Sequence, residues 1–285
     1  MSTVYLNGEY MPMEEARISP MDRGFLFGDG IYEVIPCYGG KTVGLAPHLK
    51  RMQDGLDAIS LGLHVDHQAW RDIAEKLAAD HEADNVGIYI QISRGADSRR
   101  HHAMPEHIPP TLYAFAFEIP PPPIAEKGKA AKYEVSATRD LRWQRCNIKS
   151  TSLLGNVMHY QHGHVKGHQE TLLFNENDEL TEAAACNVFV VKDGIIATPE
   201  LDHQKLPGIT RFMLIDILRQ HSTLPLEERV VTRTEVMDAD EVWLTSSSKE
   251  VAPVIAIEGA PVNGGEVGDI WLQAQQLFAD HRYDY

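Results

Sequence analysis

Residues 145–156 read RCNIKSTSLLGN. Lys149 stands there between Ile148 and three hydroxyls, Ser150, Thr151 and Ser152, directly before the apolar positions Leu153, Leu154, Val157 and Met158. That spacing predicts a helix entry. Lysine is a poor residue for one, because the partial positive charge of a helix amino end opposes a cation in the first turn. One reading is a solvated lysine ahead of a Ser/Thr cap. The other is a lysine whose amine form is favoured by apolar neighbours and the dipole, as a Schiff-base nucleophile requires.

The surrounding chain predicts a mixed α+β protein of two domains. YLNGEYM (5–11) sets an Asn-Gly turn between alternating apolar residues, and IYEVIPCYGGKTVGL (31–45) repeats the hairpin pattern across Gly39-Gly40. From Pro47 the apolar positions Leu49, Met52, Leu56, Ile59 and Leu63 take helical spacing, and Trp70, Ile73 and Leu77 predict a second helix before the strands VGIYIQIS and TLYAFAFEI. Four prolines, 120–123, then interrupt the pattern, since they cannot donate ladder hydrogen bonds and favour a stiff spacer. The expected division is 1–119, a linker at 120–123, and a second domain over 124–285 that carries Lys149. Beyond the linker, TLLFNENDELTE and NVFVVKDGIIATP predict hairpins, ITRFMLIDILRQH an amphipathic helix, and DIWLQAQQLFADH a closing helix.

Composition excludes several classes. Acidic residues outnumber basic ones 41 to 26, a net charge of -15 that repels nucleic-acid backbones. The longest apolar runs fall far short of the ~20 residues that span a bilayer, and no secretory leader pattern opens the chain, so a cytoplasmic protein is expected. Cys37, Cys146 and Cys186 are odd in number and widely spaced, which implies buried, reduced thiols rather than a disulfide or metal framework. Gly24, Gly28 and Gly30 lack the third glycine of a dinucleotide loop. His159, His162, His164 and His168 cluster without the glutamate or partnering carboxylate of a zinc site, so no metal is assigned.

One constellation survives these tests. If Lys149 is a Schiff-base lysine, its partner is an aldehyde cofactor, and pyridoxal phosphate demands two further things: a carboxylate for the pyridine nitrogen and a phosphate cradle. Glu182 is the candidate carboxylate. Gly208, Ile209 and Thr210 open a helix that can present backbone N–H groups to a phosphate, with Gly208 allowing close approach. Leu206 would lie against the ring, and Ser246 and Ser247 would complete the cradle.

In this order, DRGFLFGDGIYEV (22–34), HLKRM (48–52), RCNIKSTSLLGN (145–156), LTEAAACNVFVV (180–191), LPGITR (206–211) and LTSSSKEVAPV (244–254) resemble the class IV (fold type IV) pyridoxal-phosphate aminotransferases, over nearly the full length. Within that class RRHHAMPE (99–106) is most similar to the D-amino-acid transaminase group. The resemblance implies a two-domain fold with the cofactor between the domains, a homodimer, and exchange of the amino group between D-alanine, D-glutamate or D-aspartate and pyruvate or 2-oxoglutarate. It makes Lys149 the cofactor lysine and general acid/base, Glu182 the pyridine partner, and Arg51, Ile209, Thr210, Ser246 and Ser247 phosphate ligands. Arg100 and His102 would grip the substrate carboxylate, donated in related dimers by the neighbouring subunit, with Tyr32 as a hydroxyl donor; Arg99 competes with Arg100. Two departures stand out: Ala183-Ala184-Ala185-Cys186 replaces a serine-rich run, and one extra residue precedes RRHH. L-branched-chain aminotransferase or aminodeoxychorismate lyase activity on the same fold is the alternative, and a non-catalytic ligand-binding homologue a distant third.

Overall fold

The computed structural model describes residues 2–285, and the chain divides into two compact units. The first comprises residues 1–121 with the segment Ile148–Leu153 and Tyr285; the second comprises Pro122–Asn147 and Leu154–Asp284. The second part of the chain is thus not one unbroken domain carrying Lys149. The lysine segment belongs to the first unit, and hydrogen bonding explains why.

In the first unit, β1 (Thr3–Leu6) and β2 (Glu9–Pro12) form a hairpin across Asn7 and Gly8, both at positive φ as the two-residue turn requires. A short helix α1 (Arg23–Phe27) leads into the long strand β3 (Gly30–Tyr38), which turns back as β4 (Lys41–Thr42). Helices α2 (Leu45–Ala58) and α3 (His67–Ala79) precede β5 (Asn85–Ser93) and β6 (Thr111–Glu118). The sheet runs β2-β1-β6-β5-β3-β4, antiparallel throughout. Its core is Ile31 and Ile35 from β3, Leu49, Met52 and Leu56 from α2, and Ile88 and Ile90 from β5. The α2 positions recur at helical spacing and the β3 positions at period two, so each element turns one apolar face inward.

At its start β3 has no second neighbour strand, because β4 pairs only with Cys37 and Tyr38. Residues 149–152 occupy that edge. Ser150 bridges Ile31, the Tyr32 amide donates to the Lys149 carbonyl (3.1 Å), and the Thr151 amide donates to the Gly30 carbonyl (2.9 Å). Gly28, at φ +66°, permits this docking, since a Cβ there would collide with Ser152 Oγ.

The second unit contains β7 (Tyr133–Arg139), α4 (Leu154–His164), β8 (Glu170–Phe174), β9 (Leu180–Ala183), β10 (Asn187–Lys192), β11 (Ile195–Thr198), α5 (Ile209–His221), β12 (Leu226–Glu228), α6 (Arg233–Met237), β13 (Glu241–Ser246), β14 (Glu250–Ile257), β15 (Ala260–Pro261) and α7 (Asp269–His281). The sheet order is β12-β11-β10-β13-β14-β7-β8-β9, with β15 on β14. Pairings Asn187↔Thr245, Val190↔Ala197 and Ser246↔Glu250 place Asn187, Thr198 and Ser246 at one end of this sheet. One core carries Val135, Leu172, Phe174, Val188 and Leu244; Leu214, Ile217, Trp271 and Phe278 are buried on α5 and α7. The α7 amino end is closed by Glu241, which accepts from the Ile270 and Trp271 amides and from Trp243 Nε1.

Helix α4 corrects one expectation. It begins at Leu154, five residues beyond Lys149, so that lysine is not in its first turn. Its apolar stripe is also not its packing face: Leu154, Val157 and Met158 are 72%, 57% and 67% exposed, whereas His159 and Gly163 are buried.

Candidate active site

In the first unit Lys149 lies outside any helix or strand, half-buried, between Ile148 and Ser150 whose carbonyl and amide are hydrogen-bonded (2.8 Å), with Nζ 4.2 Å from the centre of the Tyr32 ring. An ammonium there gains from the ring face, and an amine packs against it. One residue along β3, Glu33 falls on the core side with Ile31 and Ile35 and is completely buried. Arg51 answers it with two donors, Nε to Oε1 (2.8 Å) and Nη2 to Oε2 (2.6 Å), and His48 Nδ1 lies 2.6 Å from Oε2. Burial raises the Glu33 pKa, yet the Arg51 charge and hydrogen bonds overturn it and hold the carboxyl down to about 2. Burial lowers His48, against the pull of Glu33. Arg51 is therefore no solvated surface charge but a buried, pre-oriented guanidinium.

The same unit holds residues 99–102. Arg23, buried, pairs through Nε with Asp29 (2.8 Å), and Asp29 also receives two donors from Arg94. The Arg100 guanidinium lies 5.0 Å from the Phe27 ring centre, and the His102 ring packs on the same Phe27 at 5.5 Å. Arg99 makes no hydrogen bond, ion pair or ring contact among the described residues.

In the second unit, Glu182 is buried at the end of β9. Arg142 donates to Oε1, while Asn187 Nδ2 (3.2 Å) and the Leu206 amide (3.0 Å) donate to Oε2. Arg142 is shared, its Nε and Nη2 going to Asp140 at 3.0 and 2.7 Å. Burial pushes Glu182 above the usual carboxylate range, with Arg142 opposing, and Asp140 is held below that range by Arg142 despite its own burial. Asn187 also donates to the Leu206 carbonyl (2.9 Å), which requires glycine at 208, since a Cβ there would collide with Asn187 Oδ1. Gly208 is the N-cap of α5 and brings no capping side chain, leaving a buried helix start at Ile209 and Thr210. Ser246 Oγ is buried without a partner among the described residues, and Ser247 follows it in the turn to β14.

The family model for amino-transferase class IV matches residues 30–257. The chain belongs to the class IV aminotransferases. It is 36% identical over 278 residues to D-alanine aminotransferase of Staphylococcus epidermidis, covering 98% of this chain and 97% of that protein. It is 34% identical over 281 residues to the Listeria monocytogenes D-alanine aminotransferase, covering 97% and 95%. In fold it matches the Escherichia coli branched-chain amino acid aminotransferase, with TM-score 0.86, 22% identity and 98% and 93% coverage. It also matches a T.th. branched-chain amino acid aminotransferase with pyridoxamine 5'-phosphate, with TM-score 0.89, 20% identity and 99% and 94% coverage.

Class IV aminotransferases depend on pyridoxal phosphate, and the residues present fit that group. An uncapped, buried helix start and an unpartnered buried hydroxyl are donors in want of an acceptor, which a phosphate supplies. A buried carboxylate of raised basicity suits a ring nitrogen that must keep its proton. The departure at residues 183–186 is built from backbone: Ala184 bonds Thr171 and Asn156, and Ala183 bonds Cys186. Cys186 turns into the core, where burial pushes its thiol up to about 12, so it does not stand in for a serine hydroxyl.

Sequence reading missed Glu33, His48, Asp140 and Arg142, the residues that orient Arg51 and Glu182. Glu33 had a signal, a carboxylate in register with Ile31 and Ile35 on an apolar strand face. Arg142 had none, being distant in sequence from Glu182. No helix among the described residues is long and apolar enough to cross a membrane.

Proposed function

We propose that this class IV aminotransferase exchanges the amino group between a D-amino acid of the alanine, glutamate or aspartate type and pyruvate or 2-oxoglutarate, in two half-reactions. The observation that carries this reading is the similarity, along practically the whole chain, to enzymes named D-alanine aminotransferase. Pyridoxal phosphate supplies the electron sink that makes the substrate Cα–H acidic. Lys149 would bind the cofactor's aldehyde carbon and, with its amine freed when the substrate amine takes that place, would move the proton at Cα, its Nζ lying 4.2 Å from the Tyr32 ring centre. Arg51, Ile209, Thr210, Ser246 and Ser247 take the phosphate, Glu182 takes the ring nitrogen, and Leu206 packs on the ring.

Arg100 and His102, brought together on Phe27, and Tyr32 take the substrate carboxylate. Arg99 is the second reading, favoured by its lack of any partner among the described residues. The exposed stripe of Leu154, Val157 and Met158, with Leu141 77% exposed nearby in sequence, fits a homodimer in which a second copy covers α4. The experiment is pyruvate release from D-alanine and 2-oxoglutarate: the wild-type enzyme is expected to turn over, Lys149→Ala to make no more than one equivalent per site. Multiple turnover by Lys149→Ala removes Lys149 from its role, and Arg99→Ala and Arg100→Ala assayed side by side show which raises KM.

A further inference from the structure

The carboxylate-gripping residues sit on a long connection between β5 and β6 that has little structure of its own. Among the described residues, no hydrogen bond reaches residues 97–108 from outside except those of one side chain, Arg23. Its Nη1 donates to the carbonyls of His101 (2.6 Å) and Ala103 (3.4 Å), and Nη2 donates to that of His102 (3.4 Å). The rear of the guanidinium is fixed, Nε being bound to Asp29, which Arg94 holds in turn with a bidentate pair while also donating to the Ile59 and Ser60 carbonyls. The guanidinium also lies 4.9 Å from the Phe27 ring centre, the ring that Arg100 and His102 share.

We infer that Arg23, with the Phe27 ring, is the positioning residue of the substrate-carboxylate segment: it fixes the backbone of 101–103 and so sets where the arginine and histidine side chains point. This rests on the proposed role of residues 99–102. Three carbonyls gathered by one planar fork is a task for arginine, because a lysine ammonium in the same place is a single point of charge that cannot span them and Asp29 together. A guanidinium buried at 4% exposure, with Nε bound to Asp29 and both Nη atoms bound to the loop, is a clamp built for that backbone.

The test uses the cofactor-loaded enzyme. Arg23→Lys is expected to raise KM for the amino acid and the oxo acid by about tenfold or more, the loss of a charge-assisted hydrogen bond, with kcat held within about threefold and the cofactor absorption unchanged. Amide hydrogen exchange of the variant is expected to quicken in 97–108 and stay as in the wild type in β3, β5 and β6. In Arg23→Ala, added guanidinium ion is expected to lower KM again. Unchanged exchange and KM, or a fall in kcat at constant KM, overturns the inference. Should the Arg23 variants not load cofactor, Phe27→Leu decides: a severalfold rise in KM supports the clamp, and an unchanged KM overturns it. The exchange measurement needs no substrate, so it stands even if D-alanine is not turned over, and the KM split is then read on whichever amino acid is.

Discussion

Two buried arginines sit in opposite charge settings. Arg51 faces one carboxylate, Glu33, which also holds His48, so cationic and hydrogen-bond donors outnumber acceptors and Glu33 is driven down to about 2. Arg142 faces two carboxylates, Asp140 and Glu182, and its opposition does not offset the burial that pushes Glu182 above its ordinary range. The first cluster holds a guanidinium in place, which suits the phosphate role proposed for Arg51. The second carries one carboxylate more than its cation, which suits the ring-nitrogen role proposed for Glu182. The difference lies in how far each cluster's donors offset burial, not in the residue types used.

Breaking the second cluster is expected to have the largest effect. Arg142→Met leaves Asp140 and Glu182 buried and unpaired, which costs about 3 to 5 kcal/mol. Urea unfolding should report that loss, and adding Glu182→Gln to Arg142→Met should recover part of it. A loss below about 1 kcal/mol would mean that water already compensates the pair, and the contrast between the two regions would disappear.

Glu33→Gln is next. Its carboxyl has a depressed folded pKa, so the stability it supplies is present above the unfolded value of 4.5 and is lost as pH falls from there towards about 2. That shift corresponds to about 3 kcal/mol. Stability of the wild type minus that of Glu33→Gln, measured by denaturation from about pH 6 down to acid, should shrink across this window. A difference that stays constant with pH would show that Glu33 is not ionised in the fold. Weaker cofactor retention on dialysis should accompany the substitution, because Arg51 loses its orientation.

The smallest effect sharpens the contrast. Asp140→Asn removes the surplus charge while keeping an acceptor for Arg142, so stability should change by only about 1 kcal/mol. Glu182 should then titrate somewhat lower, since burial remains its main upward push but the added push of the Asp140 charge is gone. Infrared observation of the carboxyl band against pH would detect the move; no change would assign the raised Glu182 entirely to burial.

Local chemistry was largely legible in the sequence, and long-range pairing was not. The Asn7-Gly8 turn, the α2 stripe of Leu49, Met52 and Leu56, and the helix start at Ile209 follow from neighbours within a few residues. The docking of Ser150 on Ile31 joins residues more than a hundred apart, and no period announces it. It decides both that Lys149 lies outside any helix and that its segment leaves the second unit. The α4 stripe was read correctly as helix, but periodicity does not reveal what a face packs against. Glu182 and Lys149 were visible as residue types in motif order, whereas the Arg142 that holds Glu182 came into view only with the fold.

The central claim is handed transamination at Lys149, and the most direct measurement is the absorption of the cofactor-loaded enzyme during separate additions of D-alanine and L-leucine without an oxo acid. The account predicts that D-alanine bleaches the band of the lysine-bound cofactor in the wild type, that L-leucine leaves it unchanged, and that Lys149→Ala shows no such band. Bleaching by L-leucine with none by D-alanine would contradict it.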